Sequence, residues 1–264
     1  MNPENRCNFS IGIVGAHGRM GSWLERQLKH CGLNVKGIDR SSAHELEEFA
    51  ETCDVLVLAI PVNSFHTVTS VVGPRLRPDS LLIDIASLKT DPVAEMLENS
   101  VCEVIGAHPM FGPSADSFMG RLWYICPERS TIWAHKVTDF LNDHGAKVNM
   151  ISPEKHDRLM AVVQTLRHII ITSLGLTLKE TGFDLTTNAG ICGEWFHKLV
   201  EMMLNQFDQP SELYSDLALA NRYSGEVLES FRNQNEALLE SVLRKDGQAL
   251  TDLMNQASLF SKSR

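Results

Sequence analysis

Short apolar runs alternate with longer amphipathic stretches in the first half of the chain. Each run has four to six residues, is rich in Val and Ile, and is apolar on both faces, which is typical of strands covered on both sides by helices. The predicted strands are 11–14, 35–38, 55–60, 81–85 and 104–107. Helical patterns follow at 23–31, 43–51 and 91–98, and a weaker strand at 122–126 and a helix at 131–144 complete this half. The alternation predicts an α/β fold with a parallel sheet and right-handed crossovers.

The pattern changes near Ser152, where Ser152 and Pro153 are typical of an N-cap and a first helical turn. From there to 264 only helical periodicity is found, with breaks at 182–184, 209–210 and 246–247. Long helices without a sheet must bury their apolar faces, so some apolar positions are expected in a core or a dimer interface. These positions include Trp195, Met202, Met203 and Leu204. The chain is thus predicted to have an α/β domain at 1–151 and an all-helical domain at 152–264.

Composition and charge narrow the possible partners. The chain of 264 residues carries 24 basic and 33 acidic side chains, a net charge of −9, and no basic stretch interleaved with aromatic residues. Such a surface repels phosphate backbones, so nucleic acid is not expected as a partner. The N-terminus is polar and no apolar run approaches the roughly 20 residues that cross a bilayer, so we expect a cytoplasmic protein without membrane contact. The six cysteines are scattered and lack zinc-site spacing.

A glycine-rich loop follows the first predicted strand. Gly15, Gly18 and Gly21 are spaced as GxxGxxG, with Arg19 and Met20 between the last two, and the loop runs straight into a helix. A tight turn, a close backbone approach and helix N–H groups are the features that bind a pyrophosphate. Because the loop lies between an apolar strand and an amphipathic helix, it predicts a Rossmann-type dinucleotide-binding domain.

Asp39, at the end of the second predicted strand, indicates which dinucleotide is bound. A carboxylate at this position accepts hydrogen bonds from both ribose hydroxyls and repels a 2′-phosphate, which favours NAD. Arg40, next to it, is assigned to the same site, although a cluster of Arg40 with Ser41 and Ser42 could instead hold a 2′-phosphate. Pro61, after the third predicted strand, completes the predicted cofactor site.

Two further strand ends carry candidates for chemistry. Ser87 follows the fourth predicted strand and His108 ends the fifth, beside Pro109 and Gly112. The carboxyl ends of parallel strands line the ligand crevice of an open sheet, so both side chains are expected to face it. An imidazole there is a suitable general base near neutral pH.

Three sequence runs resemble the prephenate dehydrogenase family. They are His-Pro-Met-Phe-Gly-Pro at 108–113, Asp-Ile-Ala-Ser-Leu-Lys at 84–89 and Gln-Thr-Leu-Arg-His at 164–168. Leu-Tyr-Ser-Asp at 213–216, followed by Asn-Arg at 221–222, continues the resemblance in the family's order over nearly the whole chain.

The resemblance implies an NAD-dependent oxidative decarboxylation of prephenate to 4-hydroxyphenylpyruvate, without a metal, in a homodimer. His108 would accept the proton of the ring 4-hydroxyl while hydride leaves C4, and Ser87 would hydrogen-bond this histidine or the hydroxyl. Arg222 would pair with a carboxylate of the cyclohexadienyl dicarboxylate substrate, as a dianion requires. Gln164 and His168 would line the same pocket, with Arg167 beside them.

Several alternatives remain open on these motifs. The Phe-Gly-Pro version of the run at 108–113 resembles the branch usually fused to a chorismate mutase domain, whereas the first strand here starts near Ser10, so a free-standing dehydrogenase is expected. Its substrate could equally be 4-amino-4-deoxyprephenate, in specialised metabolism, or arogenate. A dinucleotide-binding regulator is disfavoured because Ser87, His108 and Arg222 are kept as a set. Hydroxyacid and pyrroline-carboxylate reductases resemble only the first half.

Overall fold

The computed structural model describes residues 9–39, 42–188 and 192–262. By its internal contacts the chain divides into two compact units, Met1–Asp157 and Arg158–Arg264. The boundary predicted from the sequence, between 151 and 152, precedes the helix in which this division falls, and it stays a proposal. The two units are described separately below.

A seven-stranded sheet forms the centre of the first unit. Its strands are β1 (Ser10–Val14), β2 (Asn34–Ile38), β3 (Val55–Leu58), β4 (Leu81–Asp84), β5 (Glu103–Pro109), β6 (Leu122–Arg129) and β7 (Lys147–Met150). They lie in the order β2-β1-β3-β4-β5-β6-β7. The pairs among β1 to β5 are parallel, β6 is antiparallel to β5, and β7 is parallel to β6.

The expected α/β fold with a Rossmann-type sheet is confirmed, with one correction to the direction of a strand. The five apolar runs all form neighbouring parallel strands, but the sheet is not parallel throughout, since β6 runs against β5. The connection at 110–121 contains no helix, and a parallel pair needs a long crossover, so the chain returns antiparallel. The strand β7 was not predicted from the sequence.

Helices cover both faces of the sheet. They are α1 (Arg19–His30), α2 (Ala43–Glu51), α3 (Phe65–Val72), α4 (Thr90–Asn99) and α5 (Ile132–Asp143). Side chains of β3 alternate between the two faces: Val55 and Val57 pack in the cluster that contains Trp23, whereas Leu56 and Leu58 pack in a second cluster with Phe65. Burial on both faces is the reason that the strands are continuous apolar runs.

The second unit is all-helical, as predicted. Its helical segments follow α6 (Pro153–Met160), which begins in the first unit, and a π-helical turn, Ala161–Leu166. They are α7 (Arg167–Glu180), α8 (Leu185–Asn188), α9 (Glu194–Phe207), α10 (Ser211–Ala220), α11 (Ser224–Leu243) and α12 (Gly247–Lys262). Lys155 N donates to Ser152 Oγ at 3.4 Å, which confirms the predicted N-cap.

One helical stretch, Pro153–Glu180, is long and apolar enough to cross a membrane by length and composition alone. The expectation that no apolar run has this length is therefore wrong. Polar contacts tie the stretch to other helices of its unit: Thr165 Oγ1 lies 3.2 Å from Ser224 Oγ, and Gln206 Nε2 donates to the His168 carbonyl at 3.2 Å. Only 28% of the apolar window of this stretch is buried, and a single helix of this kind is weak evidence for a membrane span.

Candidate active site

The glycine loop between β1 and α1 has a shape that only glycine allows at two positions. Gly15 has φ +86°, and a Cβ there would lie 2.4 Å from the Ala59 carbonyl oxygen. A Cβ on Gly21 would lie 2.1 Å from the Gly15 carbonyl oxygen. Gly18 is the N-cap of α1, whose first turn has no acidic side chain. The loop thus presents bare backbone and a helix N-terminus, which are suited to a pyrophosphate.

A cleft of about 920 Å³ opens beside this loop. Four of the residues predicted to bind the cofactor line it, namely Gly15, Gly18, Asp39 and Pro61. Asp39 Oδ2 accepts a hydrogen bond from His17 N at 3.0 Å, and 27% of the Asp39 side chain is exposed. The residues present fit a dinucleotide.

Three further predicted cofactor residues differ in their surroundings. Arg19 is exposed in the first turn of α1. Met20 is half-buried and packs against the core that contains Trp23, so its side chain supports the loop from below. Arg40 lies outside the described residues.

His108 lies near the end of β5, where its side chain is 3% exposed, and it pairs in register with Tyr124 of β6. Its Nδ1 is 2.9 Å from Nε2 of His156, which is fully buried. His156 Nδ1 is in turn 2.8 Å from Oδ1 of Asp157. The structure therefore places the predicted catalytic histidine at the end of a buried chain of three hydrogen-bonded side chains.

Asp157 anchors this chain on the backbone at the start of α4. Its Oδ1 accepts from Lys89 N at 2.8 Å and its Oδ2 accepts from Thr90 N at 2.7 Å. Burial raises the pKa of the carboxyl, but the hydrogen bonds from His156 and Thr90 outweigh burial and hold the pKa below its ordinary value. Asp157 is thus an ionised acceptor.

A buried ion pair lies under the same loop. Lys89 Nζ donates to Asp84 Oδ1 and, at 2.7 Å, to the carbonyl oxygen of Ala107, the residue before His108. Both side chains are fully buried, and burial raises the pKa of Asp84 to about 6 against the opposing effect of Lys89. The pair fixes the backbone on which His108 is carried.

Burial keeps His108 neutral. Desolvation, followed by the charges of His156 and Lys89, lowers its pKa well below the ordinary value. A neutral imidazole can accept a proton. Ser87 is half-buried in the loop after β4. In the structure the His108 imidazole contacts His156. The expected contact of Ser87 with His108 or with a substrate hydroxyl stays a prediction.

The second unit brings two of its predicted site residues, Arg167 and His168, into contact. The Arg167 guanidinium donates to Nε2 of the buried His168 at 2.5 Å, and the His168 ring lies 4.2 Å from the Tyr214 ring. Burial, followed by the Arg167 charge, lowers the pKa of His168 to about 4. Among the described residues, His168 Nδ1 and Gln164 Oε1 are buried polar atoms without a hydrogen-bond partner.

These unsatisfied atoms carry a free-energy cost that a polar ligand would remove. Gln164 lies in the π-helical turn, a helix defect that is frequent at functional sites. A pocket of about 190 Å³ in this unit is lined by Arg167, Ile171, Met202, Asn205, Gln206 and Tyr214. Arg222 is exposed in the turn between α10 and α11, and not in a helix.

Two residues of the site were missed from the sequence, His156 and Asp157. They lie in the first turns of α6, which was recognised only as a helix start. A signal was present in the helical spacing. Met160 and Ala161 are buried, and His156 and Asp157 precede them by one helical turn, so all four residues lie on the same helical face. Two adjacent polar residues on the buried face of a helix require partners, and are therefore candidates for a site.

Comparisons with known proteins find two domains of one family in this chain. The nucleotide-binding domain of prephenate dehydrogenase matches residues 26–150, and the dimerization domain of prephenate dehydrogenase matches residues 152–256. A probable arogenate/prephenate dehydrogenase of Methanocaldococcus jannaschii is 34% identical over 95% of this chain, which spans 60% of that protein. A 4-amino-4-deoxyprephenate dehydrogenase of Streptomyces pristinaespiralis is 26% identical over 82% of this chain and 77% of its own length.

A solved structure shows the same fold. The prephenate dehydrogenase of Aquifex aeolicus, in complex with hydroxyphenyl propionate and NAD+, superposes with a TM-score of 0.74 at 20% identity and covers 96% of this chain and 97% of its own. The two domain matches together span nearly the whole chain, and they confirm the family expected from the motifs at 84–89, 108–113 and 164–168. The chain belongs to the prephenate dehydrogenase family, whose members are NAD-dependent dehydrogenases.

Proposed function

We propose that this protein catalyses the oxidative decarboxylation of prephenate to 4-hydroxyphenylpyruvate with NAD as the oxidant. The observation that carries the proposal is that His108, the first residue of the family's His-Pro run, is buried, neutral and in contact with His156. The same unit contains the glycine loop. The substrate is a cyclohexadienyl dicarboxylate, and the reaction needs a hydride acceptor, one proton acceptor and cationic groups for the carboxylates.

The cofactor is assigned to the cleft beside the glycine loop. Gly15, Gly18, Gly21, Arg19 and Met20 would hold the pyrophosphate part, with Asp39, Arg40 and Pro61 at the ribose and the cleft wall. NAD, when bound, supplies the hydride acceptor. Asp39 favours NAD over NADP because its carboxylate repels a 2′-phosphate.

His108 is the general base of the proposed reaction. It takes the proton of the ring hydroxyl, so that the electron pair of the broken O–H bond forms the C4 carbonyl as hydride leaves C4. Loss of carbon dioxide then makes the ring aromatic, and the new phenolate oxygen takes the proton back from His108. No net proton is consumed, and Ser87 is assigned to orient the hydroxyl or the imidazole.

Substrate binding is assigned to the second unit's residues. Arg222 is exposed, and the planar guanidinium of an arginine suits a bidentate contact with a carboxylate. Gln164 and His168 have buried polar atoms in need of partners, and Arg167 holds the His168 ring. These roles rest on the match of each residue to the family's runs.

Two other substrates need the same chemistry at C4. The similarity to a 4-amino-4-deoxyprephenate dehydrogenase and to a probable arogenate/prephenate dehydrogenase supports 4-amino-4-deoxyprephenate and arogenate as the second candidates. In 4-amino-4-deoxyprephenate an amine replaces the ring hydroxyl. In arogenate an amine replaces the side-chain keto group. His108 could accept a proton from either ring substituent.

We also propose a cytoplasmic homodimer formed through the helical unit. Large apolar side chains of this unit are exposed in the single chain: Trp195 by 81%, Leu219 by 85%, Leu243 by 81% and Phe260 by 83%. Soluble proteins rarely leave so much apolar surface in water, so a second copy is the expected partner. The match to a dimerization domain supports this.

The test is the rate of NADH formation by the purified protein with NAD and each of the three substrates. Fast reduction with prephenate is expected. Reduction only with the amino compound or only with arogenate would keep the mechanism and reject the substrate. A protein that binds NAD and reduces it with none of the three would reject the proposed function.

A further inference from the structure

Resting on the proposed function, we propose that His156 and Asp157 are positioning residues that fix the tautomer of His108. They place its proton on Nδ1 and leave the lone pair on Nε2, the atom that accepts the substrate proton. His156 and Asp157 do not touch the substrate in this account.

Asp157 determines the tautomer of His156. An ionised carboxylate can only accept hydrogen bonds, and two backbone N–H groups of Lys89 and Thr90 hold it in place. The His156 nitrogen that faces it at 2.8 Å, Nδ1, must therefore carry a proton. Burial lowers the pKa of His156, so the ring is neutral at neutral pH and its Nε2 has no proton.

His156 in turn determines the tautomer of His108. The bare Nε2 of His156 lies 2.9 Å from His108 Nδ1, and a hydrogen bond at this distance needs a donor on one side. The donor must be His108 Nδ1–H, because the only ring proton of His156 is on Nδ1 and is donated to Asp157. The lone pair of His108 is then on Nε2, on the opposite side of its ring from His156.

The same chain stabilises the ring after it has accepted a proton. The charge of an imidazolium at His108 is shared with His156 through the Nδ1–H bond, and the negative charge of Asp157 is at the end of the chain. Without His156, the buried ring would lose this hydrogen-bond acceptor, while burial and the Lys89 charge would still lower its pKa. The chain therefore serves both the tautomer and the basicity of His108.

The tautomer can be measured without any substrate. Protein with ¹⁵N-labelled histidine is examined at neutral pH by long-range ¹H–¹⁵N correlation, and the His108 ring is assigned by its loss in the His108→Asn variant. A proton on Nδ1 and a bare Nε2 are expected for His108 and for His156. A His108 proton on Nε2 would overturn the proposal, whether or not the protein is active.

A pair of variants separates positioning from packing. His156→Gln keeps an amide oxygen where His156 Nε2 stood, so it can still accept from His108 Nδ1–H. His156→Asn is too short and can reach only Asp157. We expect His156→Gln to keep kcat within about tenfold, and His156→Asn to lose at least about a hundredfold, with the Kd for NAD unchanged in both. His135→Asn, on the exposed side of α5, is the matched control.

The outcomes distinguish the two hypotheses. Equal losses of kcat in both His156 variants would assign His156 to packing and reject the positioning role. Unchanged kcat in His156→Asn would reject it as well. A wild-type protein that is inactive with all three substrates would reject the proposed function, while the nitrogen spectra would still decide the tautomer of His108.

Discussion

The buried pair of Lys89 and Asp84 gives a prediction whose size follows from the structure. Lys89→Met keeps the length of the side chain and removes the charge and the donors. The Asp84 carboxylate, which is fully buried, then loses its counter-ion, and the Ala107 carbonyl loses a donor at 2.7 Å. Breaking a buried pair by removing one partner costs about 3–5 kcal/mol of unfolding free energy.

The second variant tests the cause of that loss. Asp84→Asn removes the charge but keeps an oxygen for the Ala86 N–H, which Asp84 Oδ1 accepts at 2.8 Å. If the uncompensated carboxylate is the main cost, the double variant should regain at least half of what Lys89→Met loses. The coupling free energy of the double-mutant cycle is then about 2 kcal/mol or more.

The chain offers a fluorescence assay confined to the first unit. Three of the four tryptophans, Trp23, Trp123 and Trp133, belong to it, and Trp195 is in the second. Urea unfolding of all four members of the cycle in a Trp195→Phe background reports on the first unit alone. Additive losses in the cycle would refute the account of the pair.

The pH dependence gives a second check on the same variant. Burial already raises the pKa of Asp84 to about 6, and loss of Lys89 raises it further. A folded-state pKa above the unfolded value means that the folded state binds more protons, so stability is present at low pH and is lost as pH rises. The loss in Lys89→Met should shrink between pH ~8 and pH ~6, and a constant loss would contradict this.

Three further predictions use the same reasoning. Gly21→Ala places a Cβ 2.1 Å from the Gly15 carbonyl oxygen and should weaken the binding of NAD, measured by calorimetry, at least about tenfold. Gly225→Ala, whose Cβ has nothing within 4 Å, is the control and should bind NAD as the wild type does. Equal affinities of the two variants would remove the loop from the cofactor site. His168 has a pKa of about 4 in the folded state and about 6.5 in the unfolded state, so the unfolded state binds more protons as the pH falls. About 2 kcal/mol of unfolding free energy is therefore lost at pH ~5. Urea unfolding followed by circular dichroism should show a smaller loss at acid pH in His168→Gln, and an equal loss would contradict this. Arg222→Gln should raise the KM for substrate at least about tenfold with kcat nearly unchanged, and an unchanged KM would make Arg222 a solvent residue.

Much of the first unit could be predicted because its strands are buried on both faces. Apolar runs such as that at Val55–Leu58 leave one interpretation, and α2 begins at Ala43 as predicted because Ser42 and Glu45 form a capping box. The strand β7 was missed since Lys147 and Asn149 are polar and β7 is at the sheet edge. The direction of β6 is set by its connection, and not by its own residues.

The candidate site was predicted where local chemistry is sufficient and missed where the fold brings distant residues together. The roles of Gly15 and Asp39 could be predicted because each follows directly from its place at the end of a strand. The contact of His108 with His156 joins residues 48 positions apart, and no local pattern contains it. The burial of Asp157 at the start of α4 is likewise a product of tertiary structure, and only the helical periodicity of α6 pointed to it.

The central claim is that hydride transfer and decarboxylation occur together on one ring substrate, with His108 as the base. The most direct measurement is the amount of carbon dioxide and of NADH released from prephenate labelled at the ring carboxylate, for the wild type and for His108→Asn. We predict equal amounts of both products from the wild type, and a rate at least about a hundredfold lower in His108→Asn with NAD binding unchanged. NADH without carbon dioxide, or full activity in His108→Asn, would contradict the account.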